Sequence, residues 1–337
     1  MRTRPRARSL QAGLAVGRLH KKEFKEDGDN RDAALRGKQL RQARRWMASM
    51  LGNLIGVLFD GVAYGSLLFL ISVGLSVTMG LMNFVNLAHG AFAMLGGFVS
   101  VTLMMRLGVP FLVTLPLAFI ASAAVGLVLE RLLYRRLYKA THLDQVLFSI
   151  GLTFMAVAIA TYFYGPSQQP VELPTWLRGQ VPVFGLDLGV YRLFLIGVVI
   201  VITLALGYLI ERTRFGARIR ASVDNQQASA GLGINVSRVF SLTFALGSGL
   251  AGLGGGLGID VLGLDPTFPI KYMVYFLLVV AVGGAGTIKG PLLAAIILGI
   301  FDVAGKYYVP QVGAFVIYAM MVILLIAFPA GLIGRRQ

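Results

Sequence analysis

The chain has 337 residues, is 56% hydrophobic and only 14% charged, yet its formal charge is +16. Soluble domains carry about 25% charged residues, so too little polar surface is present to coat a globule, and a soluble enzyme, a collagenous chain and a disordered chain are excluded. With Cys 0, disulfides, thiol chemistry and Cys-based zinc sites are excluded too.

The charge is segregated. Residues 1–50 hold 14 basic and 5 acidic residues, and the remainder is apolar. The first stretch has no apolar face and lacks the short apolar core and small-residue cleavage site of a secretory signal. A basic cytoplasmic tail drawn to anionic lipid, disordered, or sequence upstream of a start at Met47 or Met50, explains it better than an Arg-rich nucleic-acid-binding arm, because charge runs of this kind are usually solvated. The expected division is a tail over 1–50 and a membrane domain over 51–334.

A helix needs about 20 apolar residues to cross a bilayer. Such runs occur at Asn53–Met79, Phe84–Met105, Phe111–Leu129, Val146–Tyr164, Arg192–Ile210, Val239–Ile259, Tyr272–Val282, Pro291–Ala304 and Val312–Phe328. Strand alternation is absent, which excludes a barrel and predicts an all-α polytopic membrane protein. Basic residues mark cytoplasmic loops, here Arg131–Lys139, Glu211–Arg238 and the Arg335-Arg336 tail; Gly165–Tyr191 and Asp260–Lys271 read as external. With both termini expected in the cytoplasm, three runs before Arg131 are one too many. Phe84–Met105, which opens with Asn83, Asn86 and His89 and contains Gly90, Gly96 and Gly97, is the expected re-entrant or broken helix, leaving about eight crossings.

Motifs for enzymatic chemistry are missing. No Walker A sequence occurs, so the chain does not itself hold ATP in a P-loop, and HExxH and GxSxG are absent. The literal GxGxxG at Gly247–Gly252 has no preceding strand and no acidic residue some 20 positions on; small-xxx-small helix packing explains it better. No cofactor, no metal site and no nucleic-acid partner are expected. Asn83, Asn86 and His89 either line a solute path or satisfy backbone groups at a helix break, since polar groups at membrane depth are costly. Asp60, Lys271 and Asp302 read as packing or capping groups. The segment Thr213–Val236 is longer than a connection requires, and its small residues Ala221, Ala228, Ser229 and Ala230 suggest a short helix, ended at Gly231–Gly233, that another protein can grip.

That segment, with TRFGxxxRA, then Asp224-Asn225, Ala228-Ser229 and Gly233-Ile234, resembles the cytoplasmic coupling loop of branched-chain amino acid ABC-transporter permeases. Asn86–Gly90 (NLAHG) is similar to their NFAHG-like segment, with Leu87 in place of Phe. Leu129-Glu130-Arg131, Ser149–Leu152, Gly283–Gly290 and Pro329–Gly334 extend the resemblance in order over about 51–334. The resemblance implies an importer permease architecture: a transport subunit of the bacterial inner membrane, not an enzyme, forming half of a path for branched-chain or related amino acids. The implied partners are a second permease subunit, two cytoplasmic ATP-binding subunits, an external solute-binding protein and the lipid bilayer. It assigns Gly216, Arg220, Ala221, Asp224, Asn225, Ala228, Ser229, Gly233 and Ile234 to ATPase docking, and Asn83, Asn86 and His89 are expected to border the path. An ion-coupled secondary transporter of small polar solutes is the alternative.

Overall fold

The computed structural model describes residues 6–82, 84–138, 140–183, 186–329 and 331–333, with side chains excluded at 6–40, 48, 81, 183 and 186. Two compact units divide at residue 55. The first, Met1–Ile55, is helical wherever it is described. The second, Gly56–Gln337, holds the membrane bundle.

Its helices are the later part of α1 (Arg6–Met82), α2 (His89–Leu107), α3 (Phe111–Leu129) continuing through a π-turn (Glu130–Tyr134) into α4 (Arg135–Leu137), and α5 (His142–Tyr164). Then come α6 (Val190–Arg212), α7 (Arg214–Asp224), α8 (Gln226–Gly231), α9 (Val236–Leu262), α10 (Phe268–Gly283), α11 (Lys289–Tyr308) and α12 (Gly313–Ala327). Among the described residues, seven helices are long and apolar enough to cross a membrane, and α10 and α12 are shorter apolar helices. Together they account for all nine apolar runs. A two-stranded hairpin, Gln180–Val183 with Leu186–Gly189, interrupts the loop before α6.

Local chemistry explains several boundaries. α5 starts four residues before the apolar run because Thr141 and Asp144 form a reciprocal capping box. α2 ends where Gly108 adopts φ 63°, a left-handed conformation that glycine enters without a Cβ penalty. The surface is inverted relative to a soluble protein: Leu147, Phe154 and Phe163 on α5 and Val201 and Leu204 on α6 point outward, as lipid contact requires.

The core centres on α9, where most side chains are buried and glycine recurs. Close backbone approach is what those glycines permit. A Cβ at Gly255 would overlap the Ala93 carbonyl of α2, and one at Gly96 would overlap the backbone of Gly252. α3 lies along another side of α9, and Gly74 of α1 meets Gly247.

Contacts at the helix ends define two faces. On one lie the π-turn, α7, α8 and the turn before α11; a 3.9 Å Lys289–Glu211 ion pair joins the start of α11 to the end of α6, and the Leu332 N–H beyond α12 donates to the Val282 carbonyl near the end of α10. On the far face lie the hairpin loop and the α9–α10 turn, joined by the Gln169 N–H donating to the Leu264 carbonyl. Asp60, near the start of the bundle portion of α1, pairs with Arg192 at the start of α6. That segment of α1 therefore begins at the far face, and near its other end Gly286 donates its N–H to the Ser76 carbonyl. The even number of crossings expected from two ends on one face thus does not apply to residues 56–327. The irregular backbone is confined to residues just before α2; Gly90, Gly96 and Gly97 lie within a continuous helix.

Adding a methyl at a backbone contact tests this packing. Gly255→Ala should lose about 1–3 kcal/mol through overpacking. Gly151→Ala, with nothing within 4 Å of the added carbon, should lose none. Thermal unfolding in detergent reads both.

Candidate functional site

Two regions hold the sequence-derived site residues: the break before α2 and the α7–α8 loop. Asn83 lies outside the described residues. Asn86 and His89 are buried. The Asn86 Oδ1 accepts the Ala88 N–H at 3.1 Å and the Tyr134 hydroxyl at 2.9 Å. The Asn86 carbonyl accepts the His89 N–H at 3.3 Å. His89 Nε2 is 2.8 Å from the Ile71 carbonyl, which fixes the proton on that nitrogen. Ile71 lies eleven residues before Met82, so α2 begins about 16 Å back along α1 at the helical rise. Residues 84–88 re-enter the bundle alongside α1, and the two side chains supply bonds that an unwound backbone needs there.

Phe84 packs edge-on to Tyr134 at 5.3 Å, and Tyr134 touches Phe148 and Phe244. Between α2, α3 and α5 lies a cavity of about 870 Å³ walled by Ala88, Phe92, Phe98, Leu129, Leu152 and Tyr164, among others. Asn86 and His89 are not on that wall. Its lining is almost wholly apolar, so it lacks the groups that would hold a charged solute.

The π-turn carries a polar cluster that the sequence reading missed. Glu130 is fully buried. Its Oε1 accepts the Tyr138 hydroxyl at 2.6 Å and its Oε2 accepts the Ser241 hydroxyl of α9. Tyr134, in the same turn, reaches Asn86. The π-turn thus carries two contacts, Tyr134 to Asn86 at the break and Glu130 to Ser241 in the first turns of α9, just after the loop. The available signal was Glu130 itself, an acidic residue closing an uncharged run.

The loop folds as two helices, where a single short one was expected. Thr213 caps α7 by accepting the Gly216 N–H at 3.2 Å. Asn225 is extended (φ −155°, ψ 105°), ends α7, and caps α8 by accepting the Ala228 N–H at 2.9 Å. Ala221 therefore sits on α7, and Ala228 and Ser229 on α8. Gly216 and Ser229 are buried, Ala221 and Ile234 half-buried, and Arg220, Asp224, Asn225, Ala228 and Gly233 exposed. A Cβ at Gly216 would overlap the Ile210 backbone, while the Arg220 guanidinium donates to the Ile210 carbonyl. Gly233 turns the chain at φ 80°. The nine residues thus divide into an outward face and the groups that shape it. Leu232, between two glycines, is 83% exposed and was not among the expected contacts.

The sequence model of the family described as branched-chain amino acid transport system permease component matches residues 57–325. The chain belongs to this family. The high-affinity branched-chain amino acid transport system permease proteins LivH of Salmonella typhimurium and Escherichia coli K12 are each 27% identical over 295 residues, 83% of this chain and 95% of theirs. BraD of Pseudomonas aeruginosa, described in the same words, is 25% identical over 293 residues, 83% of this permease and 95% of its own length. No solved structure matches. The chain is a multi-pass membrane permease, a transport subunit.

The cluster at Glu130 makes a stability prediction for this permease. Ser241→Ala strips a donor from a buried carboxyl oxygen and should cost about 1–3 kcal/mol. Ser149→Ala should cost less, because that hydroxyl only donates to the carbonyl of Val146 in its own helix. Chemical or thermal unfolding of the purified protein compares them.

Proposed function

We propose that this permease forms half of an ATP-driven import path for branched-chain or related amino acids in an inner membrane, and that α7 and α8 are its docking element for an ATP-binding subunit. The observation that carries the docking assignment is the two-helix loop itself. It projects Ala228, Gly233 and Leu232 outward, on a base locked by Gly216, Arg220 and Asn225. Small side chains around one apolar knob make a face that fits a groove on another protein. The partners of such a unit are a second permease subunit, two ATP-binding subunits and an external solute-binding protein. ATP binding belongs to the separate subunits, in keeping with the absence of a Walker A sequence here.

The basic face is the cytoplasmic one on this reading, since Arg131, Arg135, Arg136, Arg214, Arg218 and Arg238 cluster there. The end of α12 is then cytoplasmic. The bundle portion of α1 begins outside, the reverse of the approach expected from the basic N-terminal stretch. The division into a 1–50 tail and a 51–334 permease domain is compatible with the family match and with the boundary at residue 55.

Motion imposed on α7 and α8 by ATP-driven closure passes to α9, which follows them directly. From α9 it passes through Ser241 to Glu130, and from the π-turn through Tyr134 to Asn86. Asn86 and His89 act on the path by holding the re-entrant segment that borders it. ATP and the loaded binding protein must favour different arrangements of this linkage, because a ligand equally suited to both shifts nothing.

Ala228→Glu should place a charge on the docking face and abolish co-purification of the ATP-binding subunits, with membrane insertion intact. Normal co-purification would remove the loop from this role. ATP-dependent leucine uptake into vesicles should also cease without those subunits; uptake that persists and collapses with an uncoupler would select an ion-coupled transporter.

A further inference from the structure

Near the far face, α1, α10, α11 and α12 enclose a charged pair that the coupling scheme does not use. Asp302 of α11 is 1% exposed, and its Oδ2 accepts from Lys306 Nζ, one helical turn on, at 2.5 Å. Its Oδ1 is buried and has no hydrogen-bond partner among the described residues. Buried carboxyl oxygens without donors are rare and call for an explanation, and an ionisable group inside a membrane bundle marks function more often than stability. The Lys306 ammonium lies 5.6 Å from the centre of the Tyr64 ring, and its side chain is half exposed. The Tyr64, Tyr272 and Tyr275 phenols lie within electrostatic range of the carboxylate. The Tyr318 ring closes the group edge-on to Tyr275 at 6.2 Å.

We propose that Asp302 and Lys306, walled by these tyrosines, are a receiving site for the zwitterionic head of the transported amino acid. The inference rests on the import reading above and names the atoms that first take the solute. A ligand ammonium supplies the donor that Oδ1 lacks. The ligand carboxylate takes the N–H donors that Lys306 does not spend on Asp302. The protein pair is neutral and so is a zwitterion; a simple anion or cation would leave one charge uncompensated at membrane depth. The tyrosine rings offer aromatic faces to the ammonium and apolar surface to an aliphatic side chain. In this conformation Oδ1 is shut off, so the site opens when α10–α12 part from α1, a movement of the kind an alternating cycle needs. The position suits a handover: the cluster sits towards the face on which a binding protein would dock. Phe276, stacked with Tyr272, lies against Gly90 in the first turn of α2, which leads from the cluster to the re-entrant segment.

The test uses the complete transporter in liposomes, with its ATP-binding subunits, partner permease and binding protein, fed radiolabelled leucine. Asp302→Asn and Lys306→Gln should each lower ATP-dependent uptake by more than about tenfold, as expected for loss of one member of a charge pair whose carboxylate is buried. The double variant Asp302→Asn/Lys306→Gln restores charge balance, so its assembly and thermal stability should recover while uptake stays low. Tyr64→Leu, which leaves the pair intact, should lower uptake severalfold. Recovery of uptake to within about twofold of wild type in the double variant would assign the pair to structure alone and overturn the inference. Wild-type uptake by Tyr64→Leu would overturn it as well. A wild-type transporter that moves no leucine with ATP would instead defeat the import reading, and the receiving site with it.

Discussion

Unwound backbone inside a bilayer survives only where protein supplies its hydrogen bonds, and residues 84–88 of this permease carry that requirement. The Asn86 side chain turns the chain into α2, the His89 ring anchors it to Ile71, and the Tyr134 hydroxyl ties it to the π-turn. The last two reach other helices, α1 and the π-turn that follows α3. The arrangement of these elements around the break is therefore fixed by the same side chains that keep the break tolerable.

The second constraint is distance. α9 can touch α1, α2 and α3 at once only because its glycines let backbones approach without intervening side chains. A helix held that closely moves with its neighbours or not at all, and α9 is also the helix that emerges from the α7–α8 loop. Glu130 adds a directional link, taking donors from Tyr138 on its own segment and from Ser241 on α9. π-turns in helices often accompany functional adjustments, and this one positions Glu130 and Tyr134 to face different partners.

Much of the fold was legible from sequence because lipid leaves few choices: nine apolar runs became nine helices, and the polar run at Asn86–His89 marked the irregular backbone. The face of the bundle from which this portion of α1 starts was not legible, because the Asp60–Arg192 contact that marks it joins distant parts of the chain. In the loop, residue types suggested a docking face, but single letters do not tell that Asn225 would break it into two helices or that Gly216 and Ser229 would turn inward. Glu130, quoted only for the family resemblance, and Asp302, read as a packing or capping group, were not singled out as site residues for one reason. Each is a lone acidic residue near a span end, indistinguishable in sequence from a capping group; only burial and partners separate them from Asp60.

The proposed passage of loop motion to the break through Ser241 and Glu130 can be measured directly. The chain contains no cysteine, so single labels can be placed without removing any. Spin labels at Leu87 in the break and Leu152 on α5 would report their separation in the assembled transporter, with and without a trapped ATP analogue. The wild type should show a nucleotide-dependent change in that distance, and Ser241→Ala should lose it although the ATP-binding subunits remain attached. The same change in both proteins would rule out this route.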